Sequence, residues 1–114
     1  MITIYGIKNC DTMKKAFKWL NENNIAYDFH DYKKQGIDKA VLKQAIQELG
    51  LDSVINRRGT TWRQLDDAIK ESMNETLAIE VAIDNPSIIK RPLLVTNENM
   101  VIGFKAEEYQ EHLL

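Results

Sequence analysis

The chain has 114 residues, of which 44% are hydrophobic and 28% are charged, and its formal net charge is −2. These values suit one compact soluble domain, and the nearly balanced charge argues against nucleic acid as a direct partner. No apolar run approaches the ~20 residues that cross a bilayer, so we expect no membrane association. A single cysteine excludes an internal disulfide and favours a reducing, cytoplasmic location.

The N-terminal third of the chain predicts a strand, a helix and a second strand. Residues 2–5 are β-branched and aromatic, which is typical of a short buried strand. From Asp11 onward apolar residues recur at helical spacing: Met13, Ala16, Phe17 and Leu20. Alternation over 26–32 then predicts a second strand. A helix between two strands makes them parallel neighbours.

The middle of the chain is predicted to be helical. Its clearest helix has Asp38 as N-cap and ends at Gly50. A polar section follows, in which Thr61 is expected to cap a short helix. Another helix is predicted over 75–84, because Pro86 stops the pattern soon afterwards.

The C-terminal part predicts a hairpin and a last helix. Strands over 93–96 and 100–103 flank a short polar turn, and the helix covers 105–114. The whole order, β-α-β, a helical middle and β-β-α, predicts an α/β fold with a mixed four-stranded sheet. The thioredoxin-like architecture has this order, although periodicity alone does not select it.

This order also predicts how the chain is organised. A sheet-containing core is expected from about 1–35 and 86–114, and a helical insertion from about 36–85.

Cys10 lies between the first strand and the first helix. At a helix entry, unpaired N–H groups and the positive end of the helix dipole favour a thiolate, which is the nucleophilic form. Asp11 opposes this effect unless it is occupied in capping the helix, and the Thr12 hydroxyl can donate to the sulfur. Nearby lysines add positive charge: Lys8, Lys14 and Lys15. The alternative is a small buried cysteine without reactivity.

Several other kinds of site are excluded by the sequence. Position 13 is Met13, so there is no C-x-x-C pair, and Ala16 occupies the place where a phosphatase-type anion loop needs arginine. No Cys/His cluster has metal-binding spacing, so no metal is expected. Arginines remain as anion-binding candidates. Arg57, Arg58 and Arg63 form a basic segment, and Arg91 stands before Pro92, where the peptide bond can be cis.

The chain resembles the ArsC/Spx/YffB family, the arsenate reductase-like branch of the thioredoxin folds. The resemblance covers essentially the whole chain and is carried by "ITIYGIKNCDTMKKA", "RRGTTW", "NPSIIKRPLLVT" and "GFKAEEY". The segments "YGIKNCDTMKKA" and "RGTTWR" look most like the YffB subgroup. The resemblance implies that Cys10 is catalytic, that Arg58 or its neighbour Arg57 binds an anion, that Arg91 is a second anion-binding arginine, and that Pro92 is a cis-proline. In a thioredoxin-like sheet a cis bond at this point would also aim the Arg91 guanidinium at Cys10, so we expect Arg91 to stabilise the thiolate.

The chain departs from the family at three positions. Phe104 stands where arsenate reductases carry a third arginine, Gly6 stands where they carry a histidine, and Met13 stands where Spx regulators carry a second cysteine. With one cysteine, an external thiol must resolve a mixed disulfide. Glutathione is the expected co-substrate, because its two carboxylates suit Arg58 and Arg91.

The leading hypothesis is therefore a glutathione-dependent thiol–disulfide reductase without a bound cofactor. One alternative is arsenate reduction through a Cys10–arsenate adduct. Another is a Spx-like regulator that binds RNA polymerase through the insertion, and a third is a domain that has lost its chemistry. We expect a monomer, since no exposed apolar segment demands an oligomer.

Overall fold

The structure is a computed structural model that describes residues 2–114. Its sheet has the strand order β2-β1-β3-β4. The strands are β1 (Ile2–Gly6), β2 (Tyr27–Asp31), β3 (Leu93–Val95) and β4 (Met100–Ile102). β1 is parallel to β2 and antiparallel to β3, and β3 and β4 form an antiparallel hairpin. The predicted mixed, thioredoxin-like four-stranded sheet is confirmed, with each hairpin strand one residue shorter than predicted.

Eight α-helices and one 3₁₀ turn occur in residues 2–114. They are α1 (Asp11–Glu22), α2 (Tyr32–Gln35), α3 (Lys39–Leu49), α4 (Leu51–Val54), α5 (Thr60–Arg63), α6 (Asp67–Glu71), α7 (Glu75–Asp84), the turn (Pro86–Ile88) and α8 (Ala106–Leu113). None of these described helices is long and apolar enough to cross a membrane.

The helix starts agree with the sequence at some positions and not at others. The Asp38 carboxylate accepts from the Ala40 N–H at 2.8 Å and so caps α3 as predicted. The predicted cap at Thr61 is wrong, because α5 begins after Gly59 and Thr61 lies inside it. Asp11 is the first residue of α1, and the capping position belongs to Cys10.

The chain divides into two compact units. The first contains the residues up to Tyr32 and those from Arg91 onward, and it holds the whole sheet. Its core is a cluster of buried side chains: Ile4, Met13, Ala16, Leu20, Leu94, Val101 and Tyr109. Met13 lies directly over Gly6, where an added Cβ would overlap the Met13 thioether. This close approach sets how α1 packs on β1.

The second unit is Lys33–Lys90, in which α3 packs on α7. It begins three residues earlier and ends five residues later than the predicted insertion over 36–85. Backbone pairing explains the later end. Ile89 forms a bridge with Ile55, and the Lys90 N–H donates to the Val54 carbonyl at 2.7 Å. The segment after the 3₁₀ turn therefore belongs to this unit and not to the sheet.

Candidate active site

Cys10 is the N-cap residue of α1. Its backbone is extended, with φ −137° and ψ 132°, and its carbonyl accepts from the Lys14 N–H at 3.0 Å. This is the usual N-cap conformation, in which the residue stands half outside the helix. The side chain is partly buried and packs against the core of the first unit. The sulfur therefore lies at the N-terminal end of a 12-residue helix.

Arg91 is brought to the cysteine by the pairing of β1 with β3. Tyr5 stands opposite Leu93 in this antiparallel pair, so the residues just before Leu93 lie beside the end of β1. The cysteine loop, residues 7–10, begins at that end. The Arg91–Pro92 peptide bond is cis. The Arg91 side chain hydrogen-bonds to the Cys10 sulfur. Two residues that are 81 positions apart in sequence thus meet at one end of the sheet.

The surroundings of Cys10 lower its pKa. Burial alone would raise the pKa of the thiol, but donors to the sulfur outweigh it: the Met13 N–H, the Arg91 guanidinium and the Thr12 N–H, together with the Arg91 charge. These donors act by stabilising the thiolate anion. The site favours the thiolate, which is the reactive form.

The source of this stabilisation differs from the sequence-based expectation at two points. Thr12 acts through its backbone N–H and not through its hydroxyl. The side-chain charge that lowers the pKa of Cys10 is that of Arg91, and the expected contribution of the three nearby lysines is not among the causes. Lys8, Lys14 and Lys15 are all exposed, where water screens their charge.

Tyr32 is a residue of this region that the sequence reasoning missed. It follows β2 directly, is 1% exposed, and its ring stacks on that of Tyr5 with centroids 6.3 Å apart. Burial raises the pKa of Tyr32, Tyr5 adds to this, and the charge of Arg91 opposes it. The position offered a signal, because Cys10 and Tyr32 both follow the carboxyl ends of adjacent parallel strands, where functional groups gather in α/β folds.

Arg58 lies in the second unit, just before α5, and its side chain is exposed. Its neighbour Arg57 is occupied, since it pairs with Asp52 at 2.8 Å and lies 5.1 Å from the centre of the Trp62 ring. The Arg58 carbonyl accepts from Arg63 Nη2 at 2.9 Å. Of the two neighbouring arginines, Arg58 is the one whose guanidinium is available, and its role in anion binding stays a prediction.

Phe104 has a packing role. The Phe104 and Tyr109 rings are perpendicular, with their centroids 4.8 Å apart, and Phe104 borders the core of the first unit. No group of three or more His, Cys, Asp or Glu residues within 2–114 is arranged to hold a metal ion. A surface pocket of about 280 Å³ lies at the other end of β1, near Thr96 and His112, away from the cysteine loop.

Comparison with known proteins shows which family the chain is related to. The model of the ArsC family matches residues 5–112. The solved structure of a protein named YFFB (PA3664) is 48% identical over 100% of both chains, with a TM-score of 0.97. An uncharacterized protein of Haemophilus influenzae is 49% identical over 96% of each chain. The global transcriptional regulator Spx of Streptococcus agalactiae is 28% identical over 99% of this chain and 83% of its own. The chain belongs to the ArsC family.

Proposed function

We propose that this protein is a thiol–disulfide oxidoreductase that uses Cys10 as its nucleophile and glutathione as its external reductant. The observation that carries the proposal is the single cysteine at a helix N-terminus, with Arg91 and two backbone amides donating to its sulfur. Such a thiolate can attack a disulfide and can also act as a leaving group. Because the chain has no second cysteine, an external thiol must release it from the mixed disulfide.

The reaction proceeds in three exchanges. The Cys10 thiolate attacks one sulfur of a disulfide, so that a bond from Sγ to that sulfur forms and the other thiolate leaves and takes a proton from water. A glutathione thiolate then attacks the mixed disulfide and releases Cys10 as a thiolate. The first glutathione is now joined to the substrate sulfur in a mixed disulfide. A second glutathione attacks the glutathione sulfur of that disulfide, which releases the substrate thiol. The products are two substrate thiols and one oxidised glutathione.

The chemistry of glutathione supports it as the reductant. Its two carboxylates are natural partners for guanidinium groups, which bind them through paired hydrogen bonds. Arg91 already lies at the sulfur and can hold one carboxylate. For Arg58 the proposal rests on the family resemblance.

Phe104 separates this proposal from arsenate reduction. An arsenate ester on Cys10 would need several cationic donors around its oxygens, and Phe104 instead packs its ring against Tyr109. The Spx relative motivates a regulatory alternative. A regulator that only docks to RNA polymerase would not require a reactive Cys10.

The test is to incubate the protein with oxidised glutathione and to measure its intact mass. We expect one glutathione per chain, its release by reduced glutathione, and turnover of bis(2-hydroxyethyl) disulfide. Cys10→Ser should abolish both adduct and turnover, while Lys14→Ala, at an exposed position in the first turn of α1, should preserve them. Turnover by the serine variant would contradict the role of Cys10. Turnover of arsenate in place of the disulfide would favour the alternative reaction.

A further inference from the structure

Two tyrosines in the first unit bury a hydroxyl that has no hydrogen-bond partner. They are Tyr32 at 1% exposure and Tyr109 at 0%, and within residues 2–114 no group lies in hydrogen-bonding position for either oxygen. A buried polar group of this kind is costly and needs an explanation. The two hydroxyls differ in their surroundings, and this difference indicates a role for one of them.

Tyr32 belongs to the cysteine end of the sheet. β1 lies between β2 and β3, so the residue after Asp31 in β2 and the residues before Leu93 in β3 flank the same end of β1. Those residues are Tyr32 and Arg91. The Tyr32 ring is held in place by stacking on Tyr5, and the Arg91 charge acts on its hydroxyl.

Tyr109 has no such neighbours. Its ring packs edge-on against Trp19 and Phe104, with centroids 5.5 and 4.8 Å away, and the charge that acts on it is that of Glu108. Its hydroxyl is therefore buried as a consequence of how α8 packs, and we assign it no role in binding. This makes Tyr109 a matched reference for Tyr32, because both residues have a buried ring and a hydroxyl without a partner.

We propose that the Tyr32 hydroxyl donates a hydrogen bond to a carboxylate of the molecule that reacts at Cys10, next to the guanidinium of Arg91. A neutral phenol in a buried position is a donor, and a carboxylate held by arginine has further lone pairs to accept from it. The bound ligand thus satisfies a group that the protein leaves without a partner. The inference rests on the proposed function only in that Cys10 is the reacting thiol.

The experiment compares two alkylating agents that differ in charge. Iodoacetate carries a carboxylate and iodoacetamide does not, and in both reactions the Cys10 sulfur forms a bond to the CH₂ carbon while iodide leaves. Both agents consume the same thiolate, so the ratio of their rate constants does not depend on the pKa of Cys10. We expect the folded protein to have a higher iodoacetate/iodoacetamide ratio than a free thiol such as N-acetylcysteine.

Tyr32→Phe should lower this ratio by about fivefold, the effect of one hydrogen bond. Tyr109→Phe should leave it unchanged. Neither variant should lower the melting temperature, because each removes a hydroxyl that has no partner. An unchanged ratio in Tyr32→Phe, an equal fall in Tyr109→Phe, or a lower melting temperature in Tyr32→Phe would each overturn the inference.

The readout is independent of glutathione. If the ratio falls in Tyr32→Phe while no glutathione adduct forms on the wild type, the reductase proposal fails and the role of Tyr32 stands. If the adduct forms and the ratio is unchanged in Tyr32→Phe, the role of Tyr32 fails and the reductase proposal stands.

Discussion

The lowered pKa of the Cys10 thiol depends in part on a side chain from a distant part of the chain. Sequence inspection found the cysteine, its helix entry and Arg91, because each is carried by a local pattern or by the family resemblance. It expected stabilising charge from Arg91, which does reach the sulfur, and also from nearby lysines, which the structure leaves exposed. Tyr32 was missed because the predicted second strand, 26–32, included it, so its place just after the strand end was hidden. Its ring stacking and its unpartnered hydroxyl have no local sequence signal. Such contacts arise only when the strands pair.

A pair of substitutions at Arg91 tests this view of the thiolate. Arg91→Ala removes both the hydrogen bond and the charge, so the pKa of Cys10 should rise and alkylation by iodoacetamide at neutral pH should slow by roughly three- to tenfold. Arg91→Lys keeps the charge but loses the planar guanidinium, so its alkylation rate should lie between those of the wild type and Arg91→Ala. The measurement is the alkylation rate as a function of pH.

Lys14→Ala serves as the control for these substitutions, because it removes an exposed cation from the same helix turn. Its alkylation profile should match the wild type. A slower rate in Lys14→Ala than in Arg91→Ala would reverse the assignment of the charge that matters.

At the level of elements, the close packing of α1 on β1 joins two positions at which the chain departs from the family pattern. Gly6 and Met13 replace the histidine of arsenate reductases and the second cysteine of Spx, and they touch each other: the Met13 thioether fills the space above Gly6. A larger residue at position 6 needs a smaller one at position 13. The two positions therefore constrain each other, and this constraint is not visible in the sequence alone.

The contact can be tested with a double-mutant cycle. Gly6→Ala should lower the free energy of unfolding by about 1–3 kcal/mol, because its Cβ overlaps a side chain that is 0% exposed. Met13→Ala should cost about 2–5 kcal/mol through the cavity it leaves. The double variant should be more stable than the sum predicts, since the new Cβ enters that cavity. Urea unfolding measures all four proteins, and strict additivity would show that the two residues do not compete for space.

Prediction of the elements succeeded where a buried stripe or an end signal is present. The strands, α1, α3 and α7 each have several apolar positions at the right period, and Asp38 and Gly50 mark the ends of α3. The short helices α2, α4 and α6 were missed. Four or five residues are too few to show a helical period, and their formation depends on what packs around them.

For the whole molecule, the first unit is assembled from the two ends of the chain, and its buried tyrosines make its stability sensitive to alkaline pH. Burial is the main cause that raises the pKa of both Tyr32 and Tyr109, with Tyr5 adding to the first and Glu108 to the second. The folded state thus holds both phenols neutral at a pH where the unfolded chain, with a tyrosine pKa of about 10, has lost the protons. The folded state binds more protons in that range, so folding is opposed as pH rises.

The resulting prediction compares the wild type with Tyr32→Phe/Tyr109→Phe. Below about pH 10 the two should depend on pH in the same way, because both phenols are neutral in either state. Above it the wild type should lose up to about 1.4 kcal/mol per pH unit for each tyrosine, and the double variant should lose less. Urea unfolding from pH 8 to about pH 11 gives both curves, and the lysines titrate equally in the two proteins and cancel. Parallel curves above pH 10 would mean that both phenols ionise as readily in the folded protein as in the unfolded chain, against the effect expected from their burial.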